Sequence, residues 1–524
     1  MKRILIIPTA GLATRLCPVS DYYPKALIPL GDEPVLAKIL RLYKQVTFEK
    51  VILVIAPNTE NRFQTIIQSF LYQFQIQLVI QPTPEGLVHA LCQTTSYLEH
   101  VDQVCVHLAD TILTKPFQEK EFKQSFVCSG DVADSAPWCM VKADHEKKLI
   151  LLEDKPQSSY LTQAIIGVYF FNDARAFLAA LTKNKAEQNL SKVICDYIQS
   201  EPVYVHWRKD WYDTGSLKRF HQIPLSFETA KDIEVVRKDN QIIKKSRNKN
   251  FLAEEYFYRH TPNLGLFPQF IQSSGRKLKL TYQPLRSLAY YALFENIPLE
   301  QVIHIINSLW QLWHSSFYHT KSHWSQAREQ TEWMYGQRVL EVVENKMPEW
   351  ADISFWTINN KQIKGFVQLR ELILKRAEEL ASDQQVRAIH GDLHLGNILY
   401  DPLSHTFVLV DPRGMWGKQF SIFGDVRYDF AKFLHSFHGG YEFIKRGLSS
   451  IQTIGHNSYT FAMPTDPWRI LEQLKPIVAS FNLSLADILW IEGLCFLSMC
   501  RCYSDLHLRQ QFFLRGLHLL NQLI

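Results

Sequence analysis

Short, strongly apolar runs alternate with amphipathic stretches along the first part of the chain. Ile4–Ile7, Val51–Ile55, Leu78–Ile80, Val104–Leu108 and Ile165–Phe171 are β-rich apolar runs of strand length, the pattern of strands covered on both faces. Between them, Val35–Tyr43 and Asn61–Phe74 carry apolar residues at helical spacing. Strand and helix in alternation predict a largely parallel, helix-covered sheet. The pattern breaks over QIPLSFETAKD, residues 222–232, which divides the chain into a first domain over 1–225 and a second over 226–524.

Beyond that point the texture changes. Ile233–Val236 and Gln241–Lys245 flank the turn signal Lys238-Asp239-Asn240 and predict a small hairpin. A helix over Phe251–Arg259 and a strand over Lys277–Tyr282 follow. The remainder is helical and aromatic-rich, apart from strands at Ile398–Tyr400 and Phe407–Val410. A small β-rich lobe (about 229–288) before a large α-rich lobe (about 289–524) predicts two lobes with a cleft between them. The stripe Trp310, Trp313 and Phe317 lies at helical spacing and reads as core.

Composition narrows the function classes. The 524 residues suffice for two to four domains, and 46% hydrophobic with 21% charged residues is ordinary for a globular chain. A net charge of +5, without a long Lys/Arg block, is too small for a nucleic-acid platform. Anionic small molecules need only a few local cations. The opening MKRILIIPTAG is interrupted by Pro8 and Gly11 and reads as a buried strand, not a leader. No apolar run is long enough to span a bilayer. The nine Cys form no C-x-x-C pair, and Cys495, Cys500 and Cys502 read as buried free thiols. These features predict a soluble, cytoplasmic protein without membrane insertion, with a homo-oligomer left open.

The first strand candidate runs into PTAGLATRLCPVSDYYPKALIPL. A glycine-containing loop after a buried strand lets backbone N–H groups approach phosphates, and Arg15 and Lys25 add cations. Ala10, Gly11, Thr14, Arg15, Leu16, Pro18, Pro24, Lys25, Ala26 and Leu27 stand in the order of A-G-x-G-T-R-L-x-P…P-K-A-L. This string resembles the signature of the sugar-phosphate nucleotidyltransferases, with Ala13 in place of the usual second glycine. The resemblance implies a Rossmann-like (GT-A-like) domain in which Ala10, Gly11, Gln81 and Gly86 bind the nucleotide. It also implies Mg²⁺ ligation by Asp110 (in Leu108-Ala109-Asp110) and Asp213 (in Trp211-Tyr212-Asp213-Thr214-Gly215). Glu153-Asp154-Lys155-Pro156 resembles an E-K-P element with one inserted residue, in which Glu153 and Lys155 would meet the acceptor and Lys155 its phosphate. A phosphate monoester is already an anionic nucleophile, so such chemistry needs charge neutralisation and in-line positioning, not a general base.

In the second domain, Ile389-His390-Gly391-Asp392-Leu393-His394-Leu395-Gly396-Asn397 places Asp and Asn five apart. In kinases that spacing orients the acceptor hydroxyl and binds Mg²⁺. A strand then delivers Asp411 into Pro412-Arg413-Gly414. The order resembles the aminoglycoside phosphotransferase and choline kinase family. It implies a bilobal, protein-kinase-like α+β fold, with Asp392 catalytic and Asn397 and Asp411 as metal ligands. Asp429, in Gly424-Asp425-Val426-Arg427-Tyr428-Asp429, reads as a structural cap, and His394 and His435 as packing residues. Such a fold needs a strand lysine paired with a helix glutamate. Lys244 or Lys245 and Glu254 or Glu255 are available, and strand alternation leaves one lysine facing the cleft; Lys244 with Glu255 is the favoured pair. Lys277–Leu288 is the candidate adenine hinge.

The two resemblances imply a bifunctional enzyme using Mg²⁺, ATP and a second NTP. The kinase would phosphorylate a sugar or related alcohol, and the nucleotidyltransferase would couple the phosphate to the NTP. The D-P-R-G and RYDFAKFLHS strings resemble phosphotransferases encoded with surface-polysaccharide genes. Two alternatives remain at this point: an amino-alcohol (choline-type) kinase with a cytidylyltransferase, and a chain with one catalytically inactive, nucleotide-binding regulatory domain.

Overall fold

A computed structural model of the chain describes residues 2–17, 20, 23–30, 33–68, 70–71, 73–220, 223, 233–246, 250–261, 265–295, 297–314 and 325–524. Pro18, Phe317, the side chain of Trp313 and all of 222–232 except Ile223 lie outside what is described. The chain forms two compact units, Met1–Ile223 and Pro224–Ile524.

The first unit is built on β1 (Arg3–Pro8), α1 (Val35–Leu42), β2 (Lys50–Ile55), α2 (Glu60–Gln68), β3 (Ile76–Ile80), α3 (Leu87–Cys92), β4 (Gln103–His107) and β5 (Thr111–Leu113). It continues with β6 (Phe126–Asp131), β7 (Cys139–Ala143), β8 (Leu149–Asp154), β9 (Gln163–Phe171), α4 (Ala174–Lys183), α5 (Ser191–Tyr197), β10 (Tyr204–Trp207) and β11 (Trp211–Asp213). The main sheet runs β8-β7-β9-β4-β1-β2-β3, with β6 paired to β9 and β10. β1 lies parallel between β2 and β4, in the registers Leu5↔Val51 and Leu5↔Cys105. Ile4 to Ile7 are buried on both faces, which explains their unbroken hydrophobicity. Because these strands are parallel, the loops leaving β1 and β4 emerge at the same edge of the sheet, where open α/β sheets bind ligands.

Two details differ from expectation. The predicted strand Val104–Leu108 ends at His107, and Leu108–Asp110 form a turn closed by Thr111 N donating to Leu108 O at 3.1 Å. The helix expected over Asn61–Phe74 stops at Gln68. After the turn, β5 pairs with β11 in a two-stranded ribbon with Asp213 opposite Thr111. That pairing brings together the two candidate aspartates, one from the middle of the unit and one from near its end.

The second unit opens with a four-stranded antiparallel sheet. Its strands are β12 (Ile233–Lys238), β13 (Gln241–Ser246), β14 (Phe270–Ser273) and β15 (Lys277–Thr281), in the order β12-β13-β15-β14. α6 (Leu252–His260) packs on it through Phe251, Leu278 and Leu280. The α-rich part includes α7 (Leu288–Phe294), α8 (Leu299–Trp313), α9 (Ala327–Tyr335), α10 (Gln337–Lys346) and α11 (Phe366–Leu380). The strands β16 (Val386–Ala388), β17 (Ile398–Asp401), β18 (Thr406–Leu409) and β19 (Phe423–Asp425) follow, then α12 (Val426–Phe437), α13 (Leu485–Met499) and α14 (Leu506–Asn521). α12 is buried along its whole length, and Trp310 of α8 stacks on its Phe430 with centroids 4.1 Å apart. The α-rich part is not purely helical elsewhere: Phe355–Ile358, Lys361–Lys364, Ser450–Gly455 and Ser458–Ala462 form a four-stranded sheet that sequence reading misses. Among the described residues no helix is long and apolar enough to cross a membrane.

Candidate active sites

In the first unit, the loop after β1 leads into a short turn of helix, Thr14–Leu16, that carries Arg15. Ala13 enters this turn in the left-handed conformation (φ 50°, ψ 35°), which a glycine adopts without the Cβ clash that costs other residues about 1–2 kcal/mol. Ala13 thus stands in a backbone conformation that favours glycine. A second helical turn, Lys25–Leu27, brings the Lys25 ammonium onto the Asp110 carboxylate. Asp213 is held by the Arg219 guanidinium and accepts a hydrogen bond from Gly215 N at 2.6 Å. Thr214 N and Oγ1 both donate to Asp110 O, at 2.7 and 3.1 Å.

Gly215 reports how closely these groups converge. A Cβ there would stand 2.8 Å from Asp213 Oδ1, 3.3 Å from Asp110 Oδ2 and 3.6 Å from an Arg15 guanidinium nitrogen. Two carboxylates and a guanidinium therefore surround one point, and glycine is the residue that leaves it open. Burial pushes the Asp110 carboxyl up, but the adjoining Lys25 ammonium, with help from Arg15, outweighs this and holds it below its ordinary value. Beneath the turn, His107 is fully buried and burial lowers its pKa to about 4. Its Nε2 lies 2.9 Å from Thr111 O and its Nδ1 2.7 Å from Tyr43 Oη. The neutral ring with its proton on Nε2 satisfies both, bracing the turn that carries Asp110.

In the second unit, the loop from β16 to β17 carries His390, Gly391, Asp392 and Asn397. Asp429, on buried α12, accepts from His390 N and Gly391 N, both at 2.8 Å, so it anchors the loop instead of reacting. Burial raises the Asp429 carboxyl to about 7, against the pull of those two donors. Asn397 Nδ2 donates to Asp392 O at 2.9 Å, and Val410 N donates to Asn397 O at 2.9 Å. These contacts tie Asp392, Asn397 and the segment delivering Asp411 into one unit. Asp411 has φ 60°, a left-handed kink that turns the chain as it leaves β18. Lys244 on β13 bridges Glu254 of α6, at 2.6 Å, and Asp411. Burial lowers the Lys244 pKa, but Asp411 and Glu254 outweigh it and hold the ammonium firmly charged. His390 is the counterpart of His107: fully buried, lowered by burial to about 4, with Nε2 3.0 Å from Val410 O and Nδ1 accepting from Asp392 N at 3.3 Å.

Residues 4–229 match the nucleotidyl transferase family model, and residues 344–448 match that of the phosphotransferase enzyme family. The chain joins a nucleotidyltransferase domain to a kinase domain of the phosphotransferase family. Over 242 residues, 44% of this chain and 84% of the relative, it is 24% identical to a glucose-1-phosphate thymidylyltransferase of Neisseria gonorrhoeae. Over 166 residues, 31% of this chain, it is 27% identical to the bifunctional protein GlmU of Methanococcus maripaludis, covering 39% of that protein. A crystal structure of a putative glucose-1-phosphate thymidylyltransferase from Bacillus anthracis aligns with 42% of this chain and 93% of its own, at 18% identity and a TM-score of 0.39.

Within the nucleotidyltransferase domain, Gln81 is buried at the end of β3, and its side-chain amide donates to Gly86 O at 3.2 Å. Gly86 has φ 105°, and a Cβ there would meet Gln188 O at 3.0 Å, so the backbone path requires glycine. Glu153 accepts from Ser159 Oγ at 2.5 Å, and Lys155 Nζ reaches Asn189 Oδ1 at 3.4 Å. A methyl group on Gly11 would meet nothing within 4 Å, which leaves the loop at Ala10-Gly11 open on that side.

In the kinase domain one pairing is corrected. α6 presents Glu254, not Glu255, to Lys244. Glu255 lies one residue, about 100°, further round the helix. It pairs there with Arg259 one turn on, at 2.8 Å. Sequence reading also misses Lys432, whose ammonium lies 2.9 Å from Asp392 Oδ1 although it is buried in α12. Burial lowers the Lys432 pKa, and Asp392 more than restores it. The available signal was its position three residues after Asp429, one helical turn along the same face. His394 accepts from Gly396 N at 3.1 Å and His435 stacks on Tyr441 at 4.6 Å, so both are structural.

Proposed function

We propose that the kinase domain phosphorylates a sugar or related alcohol with ATP, and that the nucleotidyltransferase domain couples the resulting ester, a sugar 1-phosphate, to a second NTP. Pyrophosphate is released, and the product is an activated precursor for surface polysaccharide. The observation that carries this reading is chemical complementarity on one chain. One site has the groups to make a phosphate ester, and the other has the groups to consume one.

Mg²⁺ fits both donor sets. Among the described residues no cluster of three or more His, Cys, Asp or Glu forms a closed metal cage. Mg²⁺ is ordinarily held by one or two carboxylates plus substrate phosphates. Asp110 and Asp213 would hold it in the first domain, and Asn397 and Asp411 in the second. When bound it neutralises the charge of the reacting polyphosphate.

In the nucleotidyltransferase, Ala10, Gly11, Gln81 and Gly86 seat the NTP, and Arg15 and Lys25 bind its phosphates. Glu153 and Lys155 orient the acceptor. An acceptor phosphate oxygen attacks the α-phosphorus, the α–β anhydride bond breaks and pyrophosphate leaves with the electron pair. In the kinase, Asp392 accepts the acceptor's hydroxyl proton as its oxygen attacks the γ-phosphorus and ADP leaves. Lys432 fixes the Asp392 carboxylate, and Lys244, positioned by Glu254, meets the ATP phosphates. The test is to incubate the whole chain with ATP, CTP, UTP, GTP and dTTP against a panel of sugars and amino alcohols, read by mass spectrometry. A nucleotide-linked sugar that forms only from the complete mixture is expected. A product containing an amino alcohol would replace the sugar reading.

A further inference from the structure

Beside the Asp392 loop the kinase domain gathers positive charge that its own carboxylates do not balance. Arg338, at the start of α10, is 5% exposed, yet among the described residues no carboxylate lies within ion-pair distance of it. Its Nε has no hydrogen-bond partner, and its Nη1 faces the Met334 sulfur at 3.3 Å. Arg413 reaches the same sulfur at 3.5 Å, and its other side-chain hydrogen bond is to the Tyr428 hydroxyl at 3.1 Å. Two guanidinium groups thus share a thioether, a weak acceptor. Arg501 lies close enough to add to the repulsion felt by Arg338. Burial, then Arg413 and Arg501, lower the Arg338 pKa to about 9.

The cluster adjoins the reacting groups. A Cβ on Gly391, the residue before Asp392, would stand 2.7 Å from Arg413 Cβ, and Arg413 N donates to His390 O at 2.9 Å. The Cys495 thiol lies within electrostatic reach of Lys432, Arg338 and Arg413 together. The Asp392 carboxylate of the adjoining loop is committed to Lys432. A buried, unpaired guanidinium is expensive to keep, and removing both solvent and partner is tolerated only where something else supplies the charge.

We propose that Arg338 and Arg413 form the anchor for an anionic group on the kinase's acceptor, so that the substrate is an alcohol that already carries a phosphate or a carboxylate. This rests on the kinase reading of the Asp392 site. The fork of an arginine suits both anions, held by paired N–H donors. An anchor of this sign would repel a quaternary ammonium, which sets the acceptor apart from choline.

The test has two arms. In the first, the whole chain is given ATP, Mg²⁺ and matched acceptors: glycerol, glycerate and glycerol phosphate; glucose, glucuronate and glucose 6-phosphate; choline and ethanolamine. At least one carboxylate- or phosphate-bearing member is expected to turn over at least tenfold faster, in kcat/KM, than its neutral parent, and which member does so distinguishes the two anions. Arg338→Met should raise the KM for that acceptor at least tenfold with the KM for ATP within twofold, and Arg338→Lys should recover part of the loss. In the second arm, binding of inorganic phosphate is measured by calorimetry without ATP, and should be lost in Arg338→Met. The melting temperature of the unliganded Arg338→Met chain should equal or exceed that of the native chain; a structural arginine would lower it. Equal turnover of neutral or cationic acceptors, or phosphate binding unchanged by Arg338→Met, overturns the anion anchor. Phosphate binding lost in Arg338→Met, with no acceptor phosphorylated, would retire the kinase reading and leave the anion site standing.

Discussion

In the nucleotidyltransferase domain the two converging aspartates each have a cation of their own, Lys25 for Asp110 and Arg219 for Asp213. In the kinase domain partners are shared: Lys244 links Glu254 to Asp411, while Lys432 on a buried helix steadies Asp392. With separate pairs, a change at one member unbalances its own partner and leaves the second pair intact. Shared partners couple the β-rich sheet to Asp411, so a change in one is felt by both. Beneath both arrangements lies the same brace, a buried neutral histidine facing a backbone carbonyl at the far end of the loop it supports.

The strongest way to break this comparison is to silence one site at a time. Asp392→Ala is expected to reduce ATP-dependent acceptor phosphorylation by roughly 10²–10⁴-fold, leaving pyrophosphate release from NTP and a supplied sugar phosphate intact. Asp110→Ala should do the reverse, by roughly 10²–10³-fold. Coupled assays for ADP and pyrophosphate on the two variants would show it, and a loss of both activities in either variant would contradict two separate sites.

Acid comes next. The His107 and His390 side chains each have a folded pKa of about 4, below the ordinary value near 6.5. Between those values the unfolded chain binds more protons than the folded one. Stability is therefore full above about pH 6.5, falls as the pH is lowered towards 4, and gains no further loss from these groups below that. The expected loss is a few kcal/mol for each domain. Urea unfolding at pH 7.5 and pH 5, followed by both activities, should show the two domains weakening together.

A smaller effect sharpens the contrast between neighbouring acids. Glu254→Gln removes the largely shielded charged partner of Lys244, worth about 1.5–3 kcal/mol, and should raise the KM for ATP roughly tenfold. Glu255→Gln removes a helix-surface pair worth about 0.3–0.5 kcal/mol and should leave that KM within twofold. Smallest of all, Ala13→Gly relieves a left-handed backbone and should stabilise the first domain by up to about 1 kcal/mol, seen as a small rise in melting temperature.

The first domain was readable because its strands are covered on both faces, so that Ile4–Ile7 and Val51–Ile55 are unbroken apolar runs. The local order of motif residues singles out Asp110, Asp213, Asp392, Asn397 and Asp411 as candidates. What the linear chain concealed are choices made by packing. Glu254 and Glu255 differ by one step around α6, and only the position of Lys244 separates them. Lys432 and Arg338 sit in helices far along the chain from Asp392 and look like ordinary surface cations until their burial is known. The sheet at Phe355–Ile358 and Ser458–Ala462 pairs short segments about a hundred residues apart. Its one local signal was Asn359-Asn360, both with positive φ, in the tight turn of a hairpin.

The lysines that clasp Asp110 and Asp411 have a bearing on the resting protein. On the proposed reading they would act as placeholders: each carboxylate is electrically balanced in the unliganded chain, and each ammonium would turn to a phosphate as the carboxylate takes a new partner. Charge would thereby be exchanged within the site instead of imported into it. Chelation with EDTA should accordingly stop both reactions while leaving the thermal unfolding curve where it was.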